Sequence, residues 1–169
     1  MAQAAAQGAG RTLAVVDIDG VVADVRHRLH FIESGRRDWG AFHGAADADP
    51  VLPEGRELAV LLSAEHQIVW LSGRPEWLRA LTEEWLSQHG LPPGPVLLRG
   101  NFDHRPAAVF KLGAVRELAE RDVVAAVVDD DDLVIDAMAG AGFPAVRADW
   151  LPRTRGDALH QAQDVDGVS

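Results

Sequence analysis

The chain has 169 residues, 47% of them hydrophobic, a formal charge of −10 at neutral pH and no cysteine. That length suits one domain with a real core, and the absence of thiols excludes disulfides, thiolate zinc sites and cysteine nucleophiles. The acidity argues against broad, nonspecific binding to nucleic acid, which needs Lys and Arg to neutralise phosphates, although it leaves room for a small basic pocket.

Residues 1–10 are rich in Ala, Gln and Gly, lack the basic start and apolar block of a signal peptide, and are expected to be a flexible leader. Leu13–Val16 is a short Val-rich run of the kind that forms a strand buried on both faces. Residues 21–50 then break the pattern with His27, Arg28, His30, Trp39, Phe42 and His43 among polar residues and glycines, which predicts a small lid insert after the first strand. Pro53 opens a helix with Leu58, Leu61 and Leu62 on one face. Further strands are expected at Ile68–Leu71, Val96–Leu98, Val123–Val128 and Ala145–Val146. Helices are expected after Pro75 (Leu78, Leu81, Trp85), after Pro106 (Leu112, Val115, Leu118) and from the aspartate run at 129–132 to Gly142. The stripe Trp77, Leu81, Trp85 reads as core or lid packing and not as a base-stacking platform, and residues 152–169 as a tail with a short helix over 153–163 and no evident role. Strand and helix alternate throughout. The fold class is therefore α/β: a doubly wound parallel sheet of about five strands, covering residues 11–151, with no membrane span.

The chemistry-bearing residues fall at or just beyond the strand ends, where ligands bind in open α/β sheets. Asp17 and Asp19 follow the first strand, two apart and so on the same side. Ser72, Gly73 and Arg74 follow the second, bringing a hydroxyl, backbone N–H groups and a guanidinium to a helix start. Lys111 lies in the helix after the third. Asp129 and Asp130 end the fourth, while Asp131 or Asp132 suits a helix N-cap. Two like charges about 4 Å apart repel by about 4 kcal/mol at an effective dielectric of about 20, so converging carboxylates call for a cation. Hard oxygen donors without cysteine favour Mg²⁺. A site built on His27 and His30 lacks a third ligand, and Ser72 lacks the Gly-x-Ser-x-Gly elbow of serine hydrolases.

The order Asp-x-Asp, Ser, Lys, Asp-Asp resembles the four motifs of the haloacid dehalogenase (HAD) phosphatase superfamily. The response-regulator receiver domain uses similar groups in a different order. The stretch Ile68–Arg74, then Thr82 with Trp85-Leu86, Leu98-Arg99, Asp103-His104-Arg105, Lys111 and Asp129-Asp130 is similar to the phosphatase domain of bacteriophage polynucleotide kinase/phosphatase. The resemblance implies a Rossmann-like HAD core and a Mg²⁺-dependent phosphomonoesterase. Asp17 would be the nucleophile and Asp19 the general acid/base with a raised pKa. Ser72 and Lys111 would hold phosphate oxygens, and Arg28, Gly73 and Arg74 would bind substrate. Asp17, the backbone carbonyl of Asp19, and Asp129 or Asp130 would hold the metal. The family's acid four residues before the lysine is Ala107 here, and no Gly-x-x-x-x-Gly-Lys-Ser/Thr kinase motif occurs. The expectation is a free-standing cytoplasmic phosphatase acting on nucleic-acid 3′ ends or nucleotides. The alternatives are a phosphatase of a small phosphorylated metabolite or mononucleotide and a phosphate- and metal-binding module without turnover.

Overall fold

A computed structural model describes residues 11–33 and 35–167, so the predicted leader at 1–10 lies outside the described residues. Five strands form one parallel sheet: β1 (Thr12–Val16), β2 (Gln67–Pro75), β3 (Val96–Arg99), β4 (Val123–Asp129) and β5 (Ala145–Arg147), in the order β3-β2-β1-β4-β5. Each expected strand is present, the longest extension being β2, which runs on through Ser72 to Pro75.

Alternate residues of each strand serve opposite faces, as the period of two demands. Ala14, Val16, Ile68, Trp70, Ala126 and Val128 pack with Ala59 of α3 (Pro53–Ser63) and with Trp85 and Leu86 of α4 (Arg79–Gln88). Leu13, Val15, Val69, Leu71 and Val127 pack against Phe110 and Val115 of α5 (Ala107–Ala119) and Val134 and Met138 of α6 (Asp132–Gly140). These helices take the numbers α3 to α6 because the insert contributes two short ones before them, α1 (His30–Glu33) and α2 (Trp39–Gly44). The last helix is α7 (Arg153–Asp166), longer than the sequence pattern suggests. No helix among the described residues is long and apolar enough to cross a membrane.

One packing expectation needs correction. Leu61 is 70% exposed, because α3 approaches the sheet through Gly55 and Ala59; a Cβ at Gly55 would stand 1.8 Å from the Val21 carbonyl oxygen. The tryptophan stripe behaves as expected: Trp85 is buried in the core, and Trp77, though 57% exposed, sets its ring edge-on to His43 of the insert.

The sheet order places the site. β1 lies between β2 and β4, so the C-terminal ends that carry Asp17, Ser72 and Asp129 are neighbours, at the point where the strand order reverses. The pairing of β1 with β4 continues one residue past the strand, where Asp17 N–H donates to the Val128 carbonyl at 3.0 Å.

Candidate active site

After Val16 the chain turns sharply. The Ile18 carbonyl accepts from the N–H groups of Val21, Val22 and Ala23, and Gly20 sits at φ +80°. A Cβ at Gly20 would meet Asp130 Oδ2 at 2.0 Å, so this glycine both makes the turn and lets the Asp130 carboxylate lie over it. Gly20→Ala is expected to destabilise the fold by about 2 kcal/mol or more through a strained backbone and a buried clash. Urea unfolding of the variant checks it.

Asp17, Asp129 and Asp130 each offer a carboxylate oxygen, and these lie within 4.8 Å of one another. Lys111 Nζ joins the group, 2.7 Å from Asp129 Oδ2 and 3.1 Å from Asp17 Oδ2. Burial together with the charges of Asp129, Asp130 and Asp19 pushes the Asp17 carboxyl well above its ordinary range, with Lys111 opposing. Burial would lower the Lys111 ammonium, but Asp129 and Asp17 outweigh it and hold the amine protonated. Lys111, with the His160 imidazole of α7 3.4 Å from Asp130 Oδ2, faces three carboxylates. The second oxygen of Asp130, Oδ1, is buried and has no hydrogen-bond partner. A hard divalent cation fits that donor set: crowded oxygens, one of them unsatisfied, and no sulfur. Asp131 is the N-cap of α6, accepting from Leu133 N–H, and Asp129 Oδ1 accepts from Asp131 N–H.

Asp19 faces a different set of partners. Its Oδ1 accepts from Arg74 Nη2 at 2.6 Å, Arg74 Nε at 3.0 Å and Arg28 Nη2 at 3.0 Å. Both guanidiniums are buried and reach past Asp19 to a second acid, Asp49. Arg28 gives Asp49 two bonds of 2.7 Å and Arg74 one of 2.9 Å. The expected rise in the Asp19 pKa is therefore overturned: burial favours it, but Arg74 and Arg28 prevail and hold the carboxyl well below the usual range. The Asp19 carboxylate also stands apart from the metal-capable trio, which leaves its backbone carbonyl as the donor proposed from that residue.

Sequence reasoning missed Asp49. It closes the insert just before Pro50, and its carbonyl accepts from Trp85 Nε1 at 2.9 Å, which ties the insert to α4. Thr82 Oγ1 accepts from Arg74 Nη1 at 3.3 Å. The Thr82 and Trp85 of the resemblance thus position the arginine–aspartate cluster. The one available signal was indirect: two arginines predicted to lie inside a site need buried counter-charges. His27 Nε2 also meets Asp49 Oδ1 at 2.7 Å, and among the described residues neither His27 nor His30 belongs to a metal-capable group.

Ser72 Oγ accepts from Arg74 N–H at 3.1 Å and, with Gly73, Asp17, Asp19 and Lys111, lines a small cavity of ≈10 Å³. Arg28 and Arg74 do not line it. Ala107 does, one helical turn before Lys111, whose ammonium is oriented by Asp129 and Asp17 instead. The other wall is Leu159, His160 and Gln163 of α7, with His160 Nε2 3.4 Å from Asp130 Oδ2.

Comparisons with known proteins agree with this geometry. The family model "Polynucleotide kinase PNKP phosphatase domain" matches residues 11–149. A chain of the Pnkp1/Rnl/Hen1 RNA repair complex superposes with a TM-score of 0.69 at 20% identity, over 82% of this chain and 42% of that one. A subfamily IA HAD-superfamily hydrolase from Geobacter sulfurreducens gives 0.55 at 12% identity, over 87% of this chain and 91% of that one. A hydrolase from Streptococcus pneumoniae TIGR4 gives 0.53 at 14%, over 92% and 99%. No curated protein matches in sequence. This chain therefore spans less than half of the repair-complex chain it resembles, and at these identities the structural likeness establishes the fold. Together with the family match over most of its length, the site assigns the chain to the PNKP phosphatase-domain family, a group of HAD-type phosphatases.

Proposed function

We propose that the chain is a Mg²⁺-dependent phosphomonoesterase that works through an aspartyl-phosphate on Asp17 and acts on 3′-phosphate ends of nucleic acid or nucleotides. The observation that carries this reading is the trio of carboxylates within 4.8 Å, braced by Lys111 at the ends of adjacent strands. Asp17, Asp129 and Asp130, with the Asp19 carbonyl, would hold Mg²⁺, which when bound supplies the positive charge that lets carboxylates and phosphate share one site. An Asp17 oxygen attacks phosphorus in line, and the bond from phosphorus to the leaving oxygen breaks. Asp19 gives that oxygen its proton. Water then attacks the phosphorus of the acyl phosphate, yields a proton to Asp19 and frees Asp17 and inorganic phosphate. Ser72, Gly73 and Lys111 hold the phosphate oxygens as charge moves in the transition state.

For Asp19 to carry a proton, the pull of its two guanidiniums must weaken. An arriving dianion does this by adding negative charge beside Asp19. Arg28 and Arg74 would serve substrate through Asp19, whose protonation they govern. The nucleic-acid reading is supported by the family match and by one exposed ring, Phe102, which follows the C-terminal end of β3 and offers stacking surface for a base. The cysteine-free sequence suits a cytoplasmic location.

The test is hydrolysis of a 3′-phosphorylated oligonucleotide beside free nucleotides, sugar phosphates and an aryl phosphate, each with Mg²⁺ and with EDTA. The expected result is loss of all turnover in EDTA and a higher kcat/KM on the oligonucleotide. Equal or better turnover of the small molecules would remove the polynucleotide assignment and leave a metabolite phosphatase. Full activity in EDTA would remove the cation.

A further inference from the structure

The family match ends at residue 149, yet one wall of the active-site cavity is built by α7, which follows it. We propose that α7, which lies outside the stretch that the family model matches, is a second cap that plugs the phosphate site and must swing away before a substrate can enter; this rests on the phosphatase reading above.

The first argument is room. With α7 in place the cavity is ≈10 Å³, about the space of a single water and too little for a phosphate group with its cation. The second is chemistry. Of the three α7 residues on that wall, Leu159 is apolar, His160 Nε2 faces Asp130 Oδ2, on a member of the trio where a cation belongs, and Gln163 brings a neutral amide. With its imidazole spent on Asp130 and Leu159 beside it, this helix fills the site as a stopper does. The third is attachment. α7 is fastened to the insert: Leu159 and Ala162 share a small apolar cluster with Val25, Leu29, Ile32 and Phe42, separate from the two cores that clamp the sheet. At its far end Asp166 accepts from Arg37 Nη1 at 2.5 Å and from Trp39 Nε1 at 2.9 Å. The Gly167 carbonyl lies 3.2 Å from His104 Nδ1. A helix held by a small cluster and a terminal clasp opens at lower cost than an element of the main core.

The chain has no cysteine, so an engineered pair can form only one disulfide within it. A Cβ at Gly167 would stand 3.2 Å from His104 Cβ and 2.4 Å from the His104 carbonyl oxygen. Gly167 sits at φ +59°, which a cysteine adopts only with strain, and the chain end must move outward to clear that oxygen and bring the pair into the ~3.5–4.5 Å disulfide range. The full chain carrying His104→Cys and Gly167→Cys is assayed on an aryl phosphate, oxidised and then reduced. The expected result is a fall of about tenfold or more on oxidation, restored by dithiothreitol. Equal turnover by fully cross-linked and reduced protein overturns the cap. Hydrogen exchange on the wild type gives a second reading that needs no turnover. Adding Mg²⁺ with fluoroberyllate is expected to speed exchange of the amides in 156–166, since an occupied site leaves no room for α7; unchanged or slower exchange overturns the proposal. If the wild type itself fails to hydrolyse the aryl phosphate, the phosphatase reading falls, and the exchange measurement alone decides the cap.

Discussion

Asp17→Asn is expected to lower phosphatase turnover by on the order of 10³-fold or more while the protein stays folded, because an amide at this position cannot attack phosphorus. The loss should appear in kcat, since Lys111, Ser72 and Gly73 still line the cavity. The same substitution removes one of the charges crowded with Asp129 and Asp130, and Lys111 keeps Asp129 as its partner at 2.7 Å. Without added metal the variant should therefore unfold at the wild-type temperature or above it. Thermal melts beside steady-state assays check both halves. Wild-type turnover in Asp17→Asn would remove the covalent route, and a collapse of stability would show that Asp17 serves the fold before it serves chemistry.

Asp49→Ala is expected to have the largest effect on stability of any single change at the site. Asp49 accepts from Arg28 twice and from Arg74 once, and its side chain is fully buried. Removing it leaves two buried guanidiniums with Asp19 as their one remaining acid. Breaking such a cluster from one side costs about 3–5 kcal/mol, because an uncompensated charge stays behind. For a chain of this size that corresponds to a fall in Tm of about 10 °C. Turnover should fall too, since the freed guanidiniums draw more tightly on the Asp19 carboxylate and hold its proton away. A melting temperature within about 2 °C of wild type would mean that water reaches the cluster and that Asp49 is dispensable.

Much of the fold was legible because its signals are local. Val-rich runs gave the strands, and Pro53, Pro106 and Gly142 bounded helices close to where they lie. The strand-end placement of Asp17, Ser72, Lys111 and Asp129/Asp130 was legible from order alone, since neighbouring strands in a doubly wound sheet bring their ends together. What was not legible depends on which buried charge meets which. Asp19 was expected to be lifted by like charge, yet Arg28 and Arg74 turn toward it and depress it. Nothing in the spacing of Asp49 announces that both arginines reach it. Leu61 looked like a core residue by helical period, but α3 packs through its small residues, a choice made by the Val21 backbone running close beneath Gly55. The pattern of α7 showed a helix without showing what it covers, because two apolar positions, Leu159 and Ala162, fit any neighbouring surface.

Titration of the metal-free protein with Mg²⁺ by calorimetry tests most directly whether a cation is what permits these carboxylates to share a site. One Mg²⁺ per chain is expected for the wild type, with binding lost in Asp17→Asn and Asp129→Asn and retained in Asp132→Asn, whose residue lies outside the trio. Absence of binding to the wild type, or equal binding by all four proteins, would contradict it.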